Sequence, residues 1–319
     1  MSYIKNFLLL SVGIYIIYFV SDLLFTDTQE IWSVTSSVSK IDIFIGFVIY
    51  LLSHVLRVVR LLILSADPSI SIKSLFSAQL KANGVNLIIP FKAGEAYRLI
   101  SFKQFFGTYS NSFSILLCER FLDIILITSF LILSVIASSL DLEILSNLML
   151  LSVFILFVIL FLYFSLDEIL QLTNRLFVGK ESTILNIRII KGTSRLIHIL
   201  RDTKSILSSK IFSCLSITLM IWTFEILVFY FLLSSLDLNN FIIIFLAVSV
   251  ALSSLLPNGP AGYGGVQLAF YLVGFSIGLE ELILYSFVYN IYIFGSAIAI
   301  SGILFIVEFL KSVVRVSYE

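Results

Sequence analysis

The stretch from Leu255 to Gln267, LLPNGPAGYGGVQ, cuts an apolar sequence in two. It holds two of the four prolines and four of the fifteen glycines, yet it lies between the apolar runs Phe241 to Ser254 and Leu268 to Leu279. At membrane depth, irregular backbone is tolerated only where protein buries its amides and carbonyls or a watery cavity hydrates them. A break here points to a lined pocket. The alternative is a tight loop at the membrane surface, or a kinked helix whose glycines serve close packing. A second stretch, Asn86 to Arg98, NLIIPFKAGEAYR, weighs toward the pocket, because it repeats the apolar approach, the proline and the Ala-Gly step. Paired interruptions in the two halves of a membrane chain suggest a substrate site built from broken helices, and with it an inverted repeat.

Composition sets the class. With 59% hydrophobic and only 13% charged residues, and a mean hydropathy of +1.09, the chain cannot hide its apolar surface in one soluble core. An all-α integral membrane protein follows, with residues 1–319 forming a single polytopic domain. Apolar runs of roughly 20 residues each divide it into about eight spans, near 4–25, 41–64, 111–140, 144–166, 211–235, 241–256, 268–279 and 282–310. Ser74 to Ile89 is too polar to cross and reads as a re-entrant helix ending at Pro90. The N-terminal run lacks a small-residue cleavage site and is expected to be a retained span rather than a signal peptide.

Lys plus Arg and Asp plus Glu stand at 20 each, so net charge gives no reason to expect a nucleic-acid partner. Their distribution gives an orientation. The stretch 167–210 carries eight basic residues against four acidic ones and is expected as a cytoplasmic loop, either an amphipathic helical pair touching anionic lipid or a solvated linker. Together with Arg57 and Arg60, the 73–103 region and the C-terminal tail, it places both termini in the cytoplasm of a plasma (inner) membrane. His54, Arg57 and Arg60 share one face near the end of the second span. The two arginines are expected to snorkel to headgroups; a polar vestibule is the alternative. Cys118 and Cys214 lie far apart in apolar runs and read as small core residues. No metal or other cofactor is expected from a chain whose histidines are His54 and His198.

Ionisable residues inside apolar runs need a partner or a pocket. The dense set here is Lys92, Glu95, Arg98, Glu119, Arg120 and Asp123. Glu95 with Arg98, and Arg120 with Asp123, are three apart and can share a helix face. Such a set is either an ion-pair brace between helices or an anion site, in which arginine forks grip phosphate while carboxylates orient them.

The pattern Pro90-x-Lys92-x-Gly94-Glu95-x-x-Arg98, then Glu119-Arg120-x-x-Asp123, then Pro260-Ala261-Gly262-Tyr263-Gly264-Gly265-Val266-Gln267, resembles the flippase-like membrane domain of lysylphosphatidylglycerol synthases. The resemblance runs through nearly the whole chain, which is expected to be a stand-alone member without the soluble synthase domain. That family usually has arginine at the position of Lys92 and glutamate at that of Gln267. The second change removes a charge from the glycine-rich break and leaves Gln267 a hydrogen-bonding role.

The resemblance implies transport rather than covalent chemistry. The first expectation is a lipid translocase that moves an anionic phospholipid, or a lipid-phosphate-linked sugar, between leaflets in cell-envelope lipid or glycan synthesis. Lys92, Arg98 and Arg120 would bind the phosphate, and Glu95, Glu119 and Asp123 would orient them or carry protons. Pro90, Gly94, Pro257, Pro260, Gly262, Gly264, Gly265 and Gln267 would form the re-entrant breaks. The second expectation is a scaffold for a glycosyltransferase or lipid-modifying enzyme, engaged through 167–210. A transferase using Glu95 or Asp123 as a base ranks last, because no acceptor motif accompanies them.

Overall fold

The computed structural model describes residues 28–89, 93–137, 143–178, 183–253 and 262–316. Every regular element in them is helical: α1 (Thr28–Ser37), α2 (Lys40–Ser65), α3 (Ile72–Ile88), α4 (Ala93–Phe106), α5 (Tyr109–Ala137), α6 (Glu143–Val178), α7 (Ile184–Leu232), α8 (Asn240–Ser253), α9 (Gly265–Ile277), α10 (Leu282–Tyr289) and α11 (Gly295–Val316), with a π turn at Asn290–Phe294 joining the last two. The expected first span, 4–25, lies outside the described residues.

Five helical stretches among the described residues are long and apolar enough to cross a membrane: Lys40–Ser65, Tyr109–Ala137, Leu156–Val178, Ile184–Leu232 and Leu282–Leu310. Aromatic and aliphatic side chains such as Phe157, Phe164, Ile303 and Phe309 are exposed along them, as a lipid-facing surface requires. The runs expected as spans 241–256 and 268–279 become helices of 14 and 13 residues. At 1.5 Å per residue each reaches about 20 Å, short of a hydrocarbon layer roughly 30 Å thick. They pack on each other from either side of the proline-glycine break.

The α3–α4 pair is built in the same way. These helices, of 17 and 14 residues, precede and follow residues 90–92 in the sequence and pack against one another. Glycine permits the close packing: a Cβ on Gly94 would sit 2.3 Å from Asn86 Cα. α3 then crosses α11 at another close approach, Gly84 against Ser301, where a Cβ would lie 2.1 Å from the serine Cβ. Lys81 pairs with Glu308 beside that crossing.

Through its described part the stretch 167–210 is helical, the helical pair of the two forms expected for it. The end of α6 and the start of the 49-residue α7 run side by side, tied by Asn174 to Thr193 and Ser194 and by Lys204 Nζ to Asp167 Oδ1 at 2.5 Å. The apolar core falls into two large clusters. One gathers Tyr50, Ile127, Leu131, Trp222 and Val228 with much of α8, α9 and α10. The other gathers Val58, Leu61, Leu64, Phe102, Leu116, Leu122 and Leu207. A polar layer marks where α2, α5 and α7 pass from one cluster to the other, at Ser53, His54 and Arg57, at Asp123 and at Thr218, with Arg60 and Glu119 set among residues of the second cluster.

Candidate functional site

That polar layer is an ion-pair network carried by four helices. Arg60 of α2 is its most enclosed cation, with no side-chain exposure. Its Nη1 donates to Asp123 Oδ1 at 2.7 Å and to Thr218 Oγ1 at 2.9 Å, and its Nη2 donates to Glu119 Oε1 at 3.0 Å and Asp123 Oδ2 at 3.3 Å. The other oxygen of Glu119 accepts from Arg98 Nη2 at 2.6 Å, so one carboxylate bridges two guanidiniums. Trp222 Nε1 donates to Asp123 Oδ1 at 3.3 Å.

Two pairs flank this centre. Arg57 Nη2 and Ser53 Oγ donate to the same Glu225 oxygen, at 3.0 Å and 2.7 Å. Arg120 pairs with Glu95, which also lies 3.9 Å from Arg98 Nη1. The formal charges of Arg57, Arg60, Arg98 and Arg120 are balanced by those of Glu95, Glu119, Asp123 and Glu225. That balance is what makes a cluster of this size tolerable in an apolar layer.

The expectation for Arg57 and Arg60 is corrected. Neither snorkels; both turn into the protein, so neither adds to a cytoplasmic charge bias. Nearby polar residues belong to the same stripe of α2: Ser53, and His54 at 4% exposure. Their spacing of three and four along an apolar helix is the signal in the sequence. Of the two same-helix pairs considered above, Glu95 with Arg98 forms at 3.9 Å, whereas Arg120 and Asp123 part company: Arg120 reaches Glu95 on α4, and Asp123 reaches Arg60 on α2. Glu225, unassigned from sequence, is the partner of Arg57.

A cavity of about 250 Å³ opens beside the network. Arg57, Glu95, Arg98, Arg120, Asp123 and Glu225 all reach its wall, whereas Arg60 and Glu119 do not. Both interruptions contribute too: Ile89 and Gly94 from the first, Gly262 and Val266 from the second. Gly262, at φ +71°, disfavours a side chain, since a Cβ would press on the Phe294 ring at 3.0 Å in a backbone conformation that L residues rarely adopt. Gly264, at φ +89°, precedes α9 and donates its N–H to Gln267 Oε1 at 2.8 Å. Gln267 thus caps the half-helix, and Gly265 is buried in its first turn. Pro90, Lys92, Pro257 and Pro260 lie outside the described residues.

Span-length helices and a charged cavity enclosed among them define a multi-pass, all-α membrane protein with a polar site inside its apolar layer. The chain belongs to the lysylphosphatidylglycerol synthase TM region family, whose model matches residues 6–301. No curated protein and no solved structure matches it. Membership ties the chain to membrane lipid, the molecule that family handles.

Proposed function

We propose that this protein is a lipid translocase, moving an anionic phospholipid or a lipid-phosphate-linked sugar between leaflets. The observation behind this reading is that one cavity is bordered both by the edges of Arg98 and Arg120 and by residues next to both chain breaks. A network that only braced helices together would have no reason to leave these arginines on an open volume. Arg120 keeps 41% of its side chain exposed, against none for Arg60. In this reading Arg60, Glu119 and Asp123 form the rigid base, and Arg98 and Arg120 are the hands.

A phosphate arriving between Arg98 and Arg120 competes with Glu95, the carboxylate both of them face. Guanidinium forks grip phosphate oxygens in pairs, which favours that exchange. Lys92, next to the first break, supplies an added positive charge. Gly262 and Val266, in the described part of the second break, form the far wall, and α8 with α9 gives the headgroup a hydrated route where a continuous helix would seal the layer. The proposal carries the eight apolar runs, with α8 and α9 entering as a pair of half-helices rather than two full crossings, together with an inverted repeat, an inner-membrane location and both termini in the cytoplasm.

One observation favours a second reading. Near the α6–α7 tip, Val178, Ile184 and Leu185 are exposed beside Arg175 and Arg188, a surface suited to a glycosyltransferase or lipid-modifying partner. Reconstitution of the purified protein in vesicles, with headgroup accessibility followed on both leaflets, separates the two. Accelerated exchange supports the translocase. Absence of exchange for any anionic or glycan-linked lipid, with a transferase co-purifying through 167–210, supports the scaffold.

A further inference from the structure

The cavity has a second set of wall groups, polar but uncharged, contributed by α2, α3 and α10. Gln79, Asn83 and Asn86 recur at spacings of four and three, so they share the face of α3 that borders the cavity. His54 and Tyr50 approach from α2 and Tyr289 from the end of α10. Asn83 Nδ2 donates to Tyr50 Oη at 2.7 Å. Gln79 Oε1, Asn86 Oδ1 and both ring nitrogens of His54 are buried without a hydrogen-bond partner among the described residues. Gln79 and His54 are only 5% and 4% exposed. Buried polar groups are nearly always paired, so groups left unpaired in a cavity wall mark where an occupant bonds.

We infer that this uncharged wall is a subsite for a hydroxyl-rich group, a sugar or polyol attached to the phosphate, and that the protein prefers such headgroups to an ammonium headgroup or a bare phosphate monoester. The inference rests on the translocase reading for the phosphate itself. The donor and acceptor inventory carries it. A side-chain amide offers both a donor and an acceptor whichever way it is turned, and so does a neutral imidazole; a hydroxyl both donates and accepts and can satisfy each of them. An ammonium only donates. It would also sit among Arg57 and Arg98, and each carboxylate on the cavity wall already pairs with an arginine: Glu225 with Arg57, Asp123 with Arg60 and Glu95 with Arg120. A bare phosphate only accepts, and would leave every acceptor in this wall unpaired. The terminal amide torsions of Gln79 and Asn86 are soft, so turning toward an occupant costs little. The volume agrees: about 250 Å³ lies below the ~300–1,000 Å³ of drug-sized sites, which suits one monosaccharide-sized group with the acyl chains left in the bilayer.

Calorimetric titration of the full chain in detergent with dihexanoyl phosphatidylinositol, phosphatidylethanolamine and phosphatidic acid tests this. The inositol lipid should bind about tenfold tighter than the other two, the size of one or two satisfied hydrogen bonds. Gln79→Leu and His54→Phe should each erode that preference while phosphatidic acid binding stays at its wild-type level, which controls for folding. Equal or weaker binding of the inositol lipid, or no binding of any of the three, overturns the subsite. Free inositol 1-phosphate binding as tightly as its lipid would uphold the subsite but count against a lipid substrate. Exchange in vesicles separates the two failures. Transport of all three lipids without headgroup preference sinks the subsite alone, whereas retained inositol preference in binding without transport sinks the translocase alone.

Discussion

Arg60 Nη1 lies 2.7 Å from Asp123 Oδ1, where α5 passes from one apolar cluster to the other, with no side-chain exposure on the arginine. A charge held this way is a commitment of the fold, since neither partner can be removed without stranding the other.

Arg60→Ala leaves Glu119 and Asp123 facing each other with one cation fewer, and should lower stability in detergent by about 3–5 kcal/mol or prevent folding. Arg57→Ala should cost clearly less, because Glu225 keeps its bond from Ser53 and borders the cavity. Chemical unfolding curves of the two variants check the order; a larger loss at Arg57 would contradict it.

Gly94→Ala should disrupt the α3–α4 packing, because the added methyl falls 2.3 Å from the Asn86 backbone. Gly302→Ala is the matched control: nothing lies within 4 Å of its Cβ, and replacing a helical glycine there should gain about 0.5–1 kcal/mol. Thermal melts of both proteins should move in opposite directions.

These relationships were unevenly legible in the sequence. The α2 boundaries could be read to within a residue, because its apolar run is bounded by Lys40 and by the polar turn after Ser65. The depth of Arg57 and Arg60 could not be. Only five residues separate Arg60 from the end of its helix, and a side chain that near a terminus normally reaches headgroups. It is buried because α5 and α7 close over that end of α2 with Glu119, Asp123 and Thr218, contacts distant in sequence. For 167–210, polarity alone leaves a helical pair and a solvated linker both open; the pair forms because no proline interrupts α7 and its helix extends beyond the apolar section. The two breaks are legible as interruptions; that α8 and α9 are only 14 and 13 residues long is visible only in the structure. Lys92 and the prolines of both breaks keep their sequence-based roles as part of the proposal.

Gln267→Glu should preserve the bond from the Gly264 N–H and place a carboxylate at a helix N-terminus, so stability should hold or rise by about 0.3–1 kcal/mol. Gln267→Ala removes the cap and should cost about 1 kcal/mol. Thermal unfolding of the pair in one detergent measures both, and a stable alanine variant would show that the cap is dispensable.

For orientation, Ile184→Cys, exposed at the start of α7, should react with a membrane-impermeant thiol reagent in inside-out vesicles and stay unlabelled in intact cells. Labelling from outside would invert the proposed topology.

The central claim is that Arg98 and Arg120 hold a lipid phosphate in the cavity rather than merely balance Glu95 and Glu119. Lysine keeps the charge at either position and loses the planar fork. The most direct measurement is the rate of headgroup exchange between leaflets in vesicles containing the wild-type protein, Arg98→Lys or Arg120→Lys, each shown by its melting curve to be folded. The account predicts fast exchange for the wild type and a loss of about tenfold or more in each lysine variant, the worth of one charge-assisted hydrogen bond. Wild-type rates in both folded variants would contradict it and leave the arginines as a charge balance.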